Sequence, residues 1–228
     1  MERQAHPSHP ADPAPATPRW RRRKDARPGE IVQAALEIFV ERGFAAARLE
    51  EVARRAGVTR GTMYLYFPSK QALFEAVVRR SVIPGIERAE QLAEEFEGGS
   101  ADLLEWLVRD WWERVGSSPT LGGLPKLVMA EAANFPDIAR FYHEHVVRRS
   151  QAVLQRAVRR GIARGEFRAD VEPEIIARLA VAPLLLVLQW KHSFGPVVGE
   201  GIDVTALIDT HLGLLRRALE DPDLGGRP

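Results

Sequence analysis

The 228-residue chain has no cysteine. That excludes a disulfide framework, a thiolate zinc site and a cysteine nucleophile, and it agrees with a reducing cytoplasm. No apolar h-region stands at the N-terminus, so no secretory signal is visible. The longest apolar run, Leu179 to Leu188, is short of the ~20 residues a bilayer span needs and contains Pro183, so no membrane partner is expected. No stretch alternates with the period of two that a strand requires, and no repeat of the solenoid kind occurs. No nucleophile elbow, phosphate loop or paired metal-ligand motif is present, so an enzyme is not expected. Net charge is only +1, which by itself says nothing about nucleic acid.

The distribution of charge says more. Residues 1–27 carry +4, residues 28–80 carry +2 and residues 81–228 carry −5. The basic part is the N-terminal part, as an electrostatic footprint for nucleic acid requires. Apolar residues make up 45% and charged residues 28%, enough for a core in a chain of one small domain fused to a larger one, or of a single large domain.

Residues 1–27 read as a disordered arm. Pro7, Pro10, Pro13, Pro15 and Pro18 alternate with small and polar residues, then Arg19-Trp20-Arg21-Arg22-Arg23-Lys24 follows. Such an arm either follows a DNA backbone or enters a minor groove, or is a solvated leader. Pro28 suits the first turn of a helix, and Ile31, Ala34, Ala35, Ile38 and Phe39 form its apolar stripe. Gly43 ends that helix. Leu49, Val52, Ala53 and Ala56 mark a short second helix with one apolar and one charged face. Gly57 favours the left-handed turn that leaves it, and Thr59 can cap a third helix of about two turns. This third helix exposes Arg60, Thr62, Tyr64 and Tyr66. It is too short to stand on propensity alone, so these groups suit a partner. Arginine reads guanine edges and hydroxyls grip phosphates. Pro68 breaks the helix, and Ser69 caps a fourth, kinked at Pro84-Gly85 and ending near Phe96.

Residues 28–75 closely resemble the N-terminal DNA-binding domain of TetR-family transcriptional repressors. The resemblance rests on Ile31-Val32-x-Ala34-Ala35-x-x-x-Phe39-x-x-x-Gly43-Phe44. It continues through Val52-Ala53-x-x-Ala56-Gly57-Val58-Thr59-x-Gly61-Thr62-x-Tyr64-x-Tyr66-Phe67-x-Ser69-Lys70-x-x-Leu73-Phe74. Arg48 departs from it, standing where the family usually places Thr or Ser; its charge can replace the missing phosphate contact. The resemblance implies that Arg60 and Gly61 face base edges. It implies that Thr62, Tyr64, Tyr66 and Lys70 hold phosphates, with Tyr64 also packing on a thymine methyl. Thr59 and Arg48 complete the DNA-binding set, while Leu49, Val52, Phe39 and Phe67 are core.

The fold class is therefore all-α: a three-helix helix-turn-helix domain, 28–75, then a larger helical domain, 76–228. Five more helices are expected near 101–115, 121–134, 136–163, 172–194 and 203–219, with breaks at Gly165 and at Gly195-Pro196. From Ile175 to Leu188 the chain is apolar almost all round, so it must be buried all round. A second subunit can supply that burial through the last two helices, as the resemblance also implies. A twofold dimer reads a palindromic operator.

Aromatic and flexible apolar groups in the larger domain are candidates for a ligand pocket: Trp106, Trp111, Met129, Phe135, Phe141 and Trp190, with Trp112 and Tyr142 of the same character beside them. Glu131, Asn134, His143, His145 and Gln189 are candidate anchors. The alternative for each is a place in the core. The resemblance implies a small-molecule inducer, which such a lining would make apolar or aromatic. His143 and His145 point about 200° apart on a helix and cannot share an ion, so no metal or cofactor is expected. The expected function is a cytoplasmic, nucleoid-associated repressor released from its operator by inducer. An architectural DNA binder without inducer, or an activator, shares the same reading head.

Overall fold

The structure, a computed structural model, describes residues 19–220, with side chains from Pro28 onward. Among these residues every regular element is helical. Helix α1 (Arg19–Ala46) begins nine residues before Pro28, which lies inside it. The arginine-rich stretch has good helix propensity, and it forms the first turns instead of the disordered segment expected there. Residues 1–18 of the expected arm lie outside the described residues. At Gly43 the backbone leaves helical geometry (φ 81°, ψ 165°), a region open essentially to glycine alone.

Next come α2 (Leu49–Arg55) and α3 (Arg60–Tyr66), then α4 (Lys70–Ser81) and α5 (Ile83–Glu95). The turn between α2 and α3 passes through Gly57 at φ 64°. Thr59 Oγ1 accepts from Thr62 N–H at 3.1 Å, and Ser69 Oγ accepts from Ala72 N–H at 3.0 Å. Each cap fixes where its helix starts. Arg48 precedes α2 and makes no side-chain cap.

The rest is α6 (Ser100–Trp111), α7 (Gly123–Glu131), α8 (Pro136–Tyr142), α9 (Arg148–Ala163), α10 (Pro173–Gln189), α11 (Gly195–Val198) and α12 (Val204–Leu219). Three π segments interrupt this set. Trp112–Gly116 ends α6, His143–Val147 joins α8 to α9, and Trp190–Phe194 joins α10 to α11. The break expected at Gly195-Pro196 is therefore a further helical turn, because Pro196 occupies the start of α11, where its missing N–H is not needed.

Two cores result. One gathers α1, α2 and α4 with Leu124 and Val128 of α7 and Ile138 and Tyr142 of α8; Phe39, Phe74 and Met63 are fully buried in it. The reading head thus shares its core with the second half of the chain. The other unites α6, α9, α10 and α12 around Leu103, Val158, Leu184 and Leu219.

Helix α10 buries Ala177, Ala180, Leu184, Val187 and Leu188, while Ile175, Leu179 and Leu186 are exposed, Leu186 at 64%. Phe194, Val197 and Val198 beyond it, and Leu214 on α12, are exposed too. With the π segment and α11, the rod Pro173–Val198 is long and apolar enough to cross a membrane by length and composition. The shorter run Leu179–Leu188 hid this. One face of the rod is nevertheless committed to the second core.

Candidate nucleic-acid interface and effector cavity

Helix α3 shows Arg60, Gly61, Tyr64 and Leu65 to solvent, at positions i, i+1, i+4 and i+5 that share one face. Arg60 is held by Glu50 (3.1 Å) and lies over the Tyr64 ring, 5.5 Å from its centroid. A Cβ on Gly61 would meet only Thr59 Oγ1, at 4.0 Å, so the backbone is open to close approach. Leu65 is 80% exposed. Sequence reasoning passed over it, although an apolar residue five positions after Arg60 on a two-turn helix was a usable signal. Thr62 is half-buried and its hydroxyl lies 2.9 Å from that of Thr59. Tyr66 is half-buried against Phe67. Arg48 is exposed beside α2.

Lys70 differs from the others. Its ammonium donates to the carbonyls of Phe44 (2.7 Å), Ala45 (2.9 Å) and Ala47 (3.1 Å), and it lies 4.8 Å from the Phe44 ring centroid. An ammonium has three N–H donors, and all three are spent on the chain. Burial pushes its pKa below the ordinary lysine value, opposed by the Glu131 carboxylate. Glu131, at the end of α7, accepts from Ala45 N–H at 2.9 Å, and a Cβ on Gly43 would come within 3.1 Å of the same oxygen. The stretch from Phe44 to Ala47, at the end of α1 beyond Gly43, is thus clasped from two sides, by Lys70 of α4 and Glu131 of α7.

Helix α7 also forms one wall of a cavity of about 270 Å³. Leu124, Pro125, Val128 and Met129 of α7 line it with Ile86, Leu107, Trp111, Val146, Leu154 and Val181. Of the six expected pocket residues, Trp111 and Met129 line it. Phe135 instead packs edge-on against Phe44 (4.8 Å). Phe141 stacks on His145 (4.2 Å) with Arg79 over its ring. Trp106 packs against the second core, and Trp190 donates from Nε1 to the Glu200 carbonyl at 3.0 Å. Aromatic spacing on a helix marks an apolar face but not which neighbour fills it. Of the expected anchors only His143 lines the cavity; Glu131 is engaged by Ala45, and His145 lies 3.0 Å from the Phe141 carbonyl. Asn134 is exposed and Gln189 half-buried outside the cavity wall.

Tyr142, of the same aromatic character, lines the cavity too, and the polar groups missed are Arg114, Ser150 and Gln151. Gln151 had a signal: it interrupts the apolar stripe Val147, Leu154, Val158. Arg114 pairs with Asp110, from Nε at 2.9 Å and from one Nη. Burial raises the pKa of Tyr142 well above the ordinary tyrosine value, so its hydroxyl stays protonated. No group of three or more metal-ligating side chains occurs among the described residues.

Two family descriptions match. Residues 31–77 fit the bacterial regulatory proteins of the tetR family, and residues 99–197 fit a tetracycline repressor-like C-terminal domain. The chain belongs to the TetR family.

Members of this family are transcriptional regulators that bind DNA through such a head. The chain is 42% identical over 69 residues to the transcriptional activator FasR of Mycolicibacterium smegmatis, covering 29% of this chain and 32% of FasR. It is 23% identical over 196 residues to the repressor KstR2 of the same species, covering 78% and 85%. The match thus spans about a third of FasR's length and most of KstR2's. Among solved structures, Salmonella enterica GusR superposes with a TM-score of 0.64 at 27% identity, over 85% of this chain and 95% of GusR. FadR from Bacillus subtilis, in complex with stearoyl-CoA, gives 0.66 at 18% identity, over 83% and 98%. The latter likeness concerns the fold.

Proposed function

We propose that this TetR-family regulator is a homodimeric repressor that leaves a palindromic operator when a small apolar ligand enters the α7 cavity. The observation that carries the reading is the shared helix: α7 lines the cavity with Val128 and Met129 and grips the head with Glu131, within one turn. A ligand that moves α7 changes the hold on Ala45, and with it the placement of α2 and α3. By linkage, DNA weakens ligand binding by the same factor. Such coupling is typically worth 1–3 kcal/mol.

In this reading Arg60 leaves Glu50 to reach a guanine edge, and Tyr64 and Leu65 offer apolar contact to thymine methyls. Thr59, Thr62, Tyr66 and Arg48 serve the backbone. Lys70 is reassigned from phosphate contact to the frame of the head. The exposed apolar faces of α10 and α12 form the dimer contact. Exposed apolar residues of that number, with Leu214 beside those of α10 and α11, mark an interface. The protein works in the cytoplasm, on the nucleoid.

The test is selection of fragmented genomic DNA by the purified protein, then footprinting at stated salt. A palindromic footprint supports the repressor reading. Weak binding without sequence preference, with a steep salt dependence, would show that the head grips phosphates without reading bases. Arg60→Ala should reduce discrimination between selected and random sites; unchanged preference would remove Arg60 from base reading.

A further inference from the structure

The cavity also carries information about the class of its ligand; this inference rests on the effector-site reading above. Its walls from α5, α6, α7 and α10 are apolar, apart from a glycine backbone at Gly85. Apart from the Trp111 indole, the polar side chains lining it come from two places. Tyr142, His143, Ser150 and Gln151 come from the rod α8–α9, and Arg114 from the π segment after α6. Among the described residues, Tyr142, Ser150 and Gln151 make no side-chain hydrogen bond. Tyr142 is buried while Ser150 and Gln151 are half-buried, and an oxygen-bearing ligand in the cavity takes up the hydrogen-bonding capacity that the chain leaves open there.

Charge narrows the class. The Arg114 guanidinium is already compensated by Asp110 through Nε and one Nη, while its other Nη rests against Gly85. A carboxylate placed here would be desolvated against a cation whose charge is spoken for. A neutral acceptor avoids that cost and meets the Tyr142 hydroxyl and the Gln151 amide as donors. Size narrows it further. A closed cavity of about 150 Å³ takes benzene, so the 270 Å³ here holds about eleven non-hydrogen atoms inside its walls, with Met129, which is exposed, at its open side. On the same scale an eighteen-carbon chain needs ~450 Å³.

We propose that the effector is a compact, neutral, carbonyl-bearing apolar compound, a ketone, lactone, ester or amide, whose oxygen accepts a hydrogen bond from Tyr142. Gln151 and Tyr142 are then the residues that set specificity.

Calorimetric titration of the full chain with four probes tests this: butyrophenone, butylbenzene, 4-phenylbutyrate and stearoyl-CoA. The chain has five tryptophans, so the part of the emission change that Trp111→Phe removes reports a probe in the cavity, which Trp111 lines. The expected result is that butyrophenone binds at least tenfold tighter than the hydrocarbon and the acid, a difference of about 1.4 kcal/mol. Tyr142→Phe should bring the ketone to the hydrocarbon's affinity and leave the hydrocarbon unchanged, and Gln151→Leu should narrow the gap. Equal affinity for ketone and hydrocarbon, or tightest binding of the acid or of stearoyl-CoA, overturns the carbonyl proposal while leaving the cavity an effector site. Failure of all four probes to bind or to alter Trp111 emission overturns both.

Discussion

Replacing Lys70 by methionine separates two roles that the residue type leaves open. As a phosphate contact, the ammonium would matter only when DNA is bound. As the clasp seen here, it matters to the folded head itself. The substitution keeps most of the aliphatic stem and removes three N–H donors from the carbonyls of Phe44, Ala45 and Ala47. Hydrogen bonds to charged groups contribute about 1.5–3 kcal/mol each when well formed. These three share one partly buried ammonium whose burial is itself unfavourable, so a net loss of about 2–3 kcal/mol is expected, including the ring contact with Phe44. In a chain of this length that is a fall in Tm of roughly 5–10 °C. Thermal unfolding of Lys70→Met against the parent measures it, and operator binding is followed from 50 to 200 mM salt. The slope of log affinity against log salt should stay unchanged, because no phosphate contact is lost. An unchanged Tm with a slope shallower by about 0.9 would refute the clasp and restore Lys70 to the DNA.

Three other changes probe the rest. Glu131→Ala should leave operator affinity within a few fold but reduce ligand-induced release by about fivefold, near 1 kcal/mol of coupling; full release in the variant would disconnect α7 from the head. Leu186→Glu puts a charge on the exposed face of α10 and should convert a dimer into a monomer by light scattering, with loss of palindrome binding. His192 is driven below its ordinary pKa by burial, then by Lys191 and Lys126. The unfolded chain therefore binds the proton more readily, so stability is full above about pH 6.5 and falls as pH drops through the lowered folded value. His192→Gln should flatten the fall in Tm between pH 7 and pH 5, and an identical fall would remove His192 as its source.

The head was legible because its signals are local. Gly57, Thr59 and Ser69 act within one turn of themselves, and each sits where its turn or cap requires. The start of α1 was not, because Pro28 is an equally good first-turn residue and the favourable helix propensity of the arginines before it outweighed that signal. The cavity was legible only in part. Trp111 and Met129 line it, but Phe135 and Trp190 have the same local character and different neighbours. The clasp at Ala45 joins residues 86 positions apart, a distance over which spacing carries no message. Lys70 matched a DNA-binding pattern by type and place, and only the carbonyls around its nitrogen distinguish the two uses.

The π segment His143–Val147 bears on how the rod α8–α9 could change length. A π turn amounts to an α-helix carrying one additional residue, and each residue of an α-helix turns the chain by about 100°. Deleting a single codon in that segment would restore continuous α-helix and leave Ser150, Gln151 and Leu154 near their present bearing around the rod, because the π turn has already absorbed the extra residue. The polar side chains would then keep their place in the cavity, and α8, which packs against the head, its own. The same deletion in the α-helical part of the rod would instead turn everything after it by about 100°, so the π segment is where the rod tolerates a change of length.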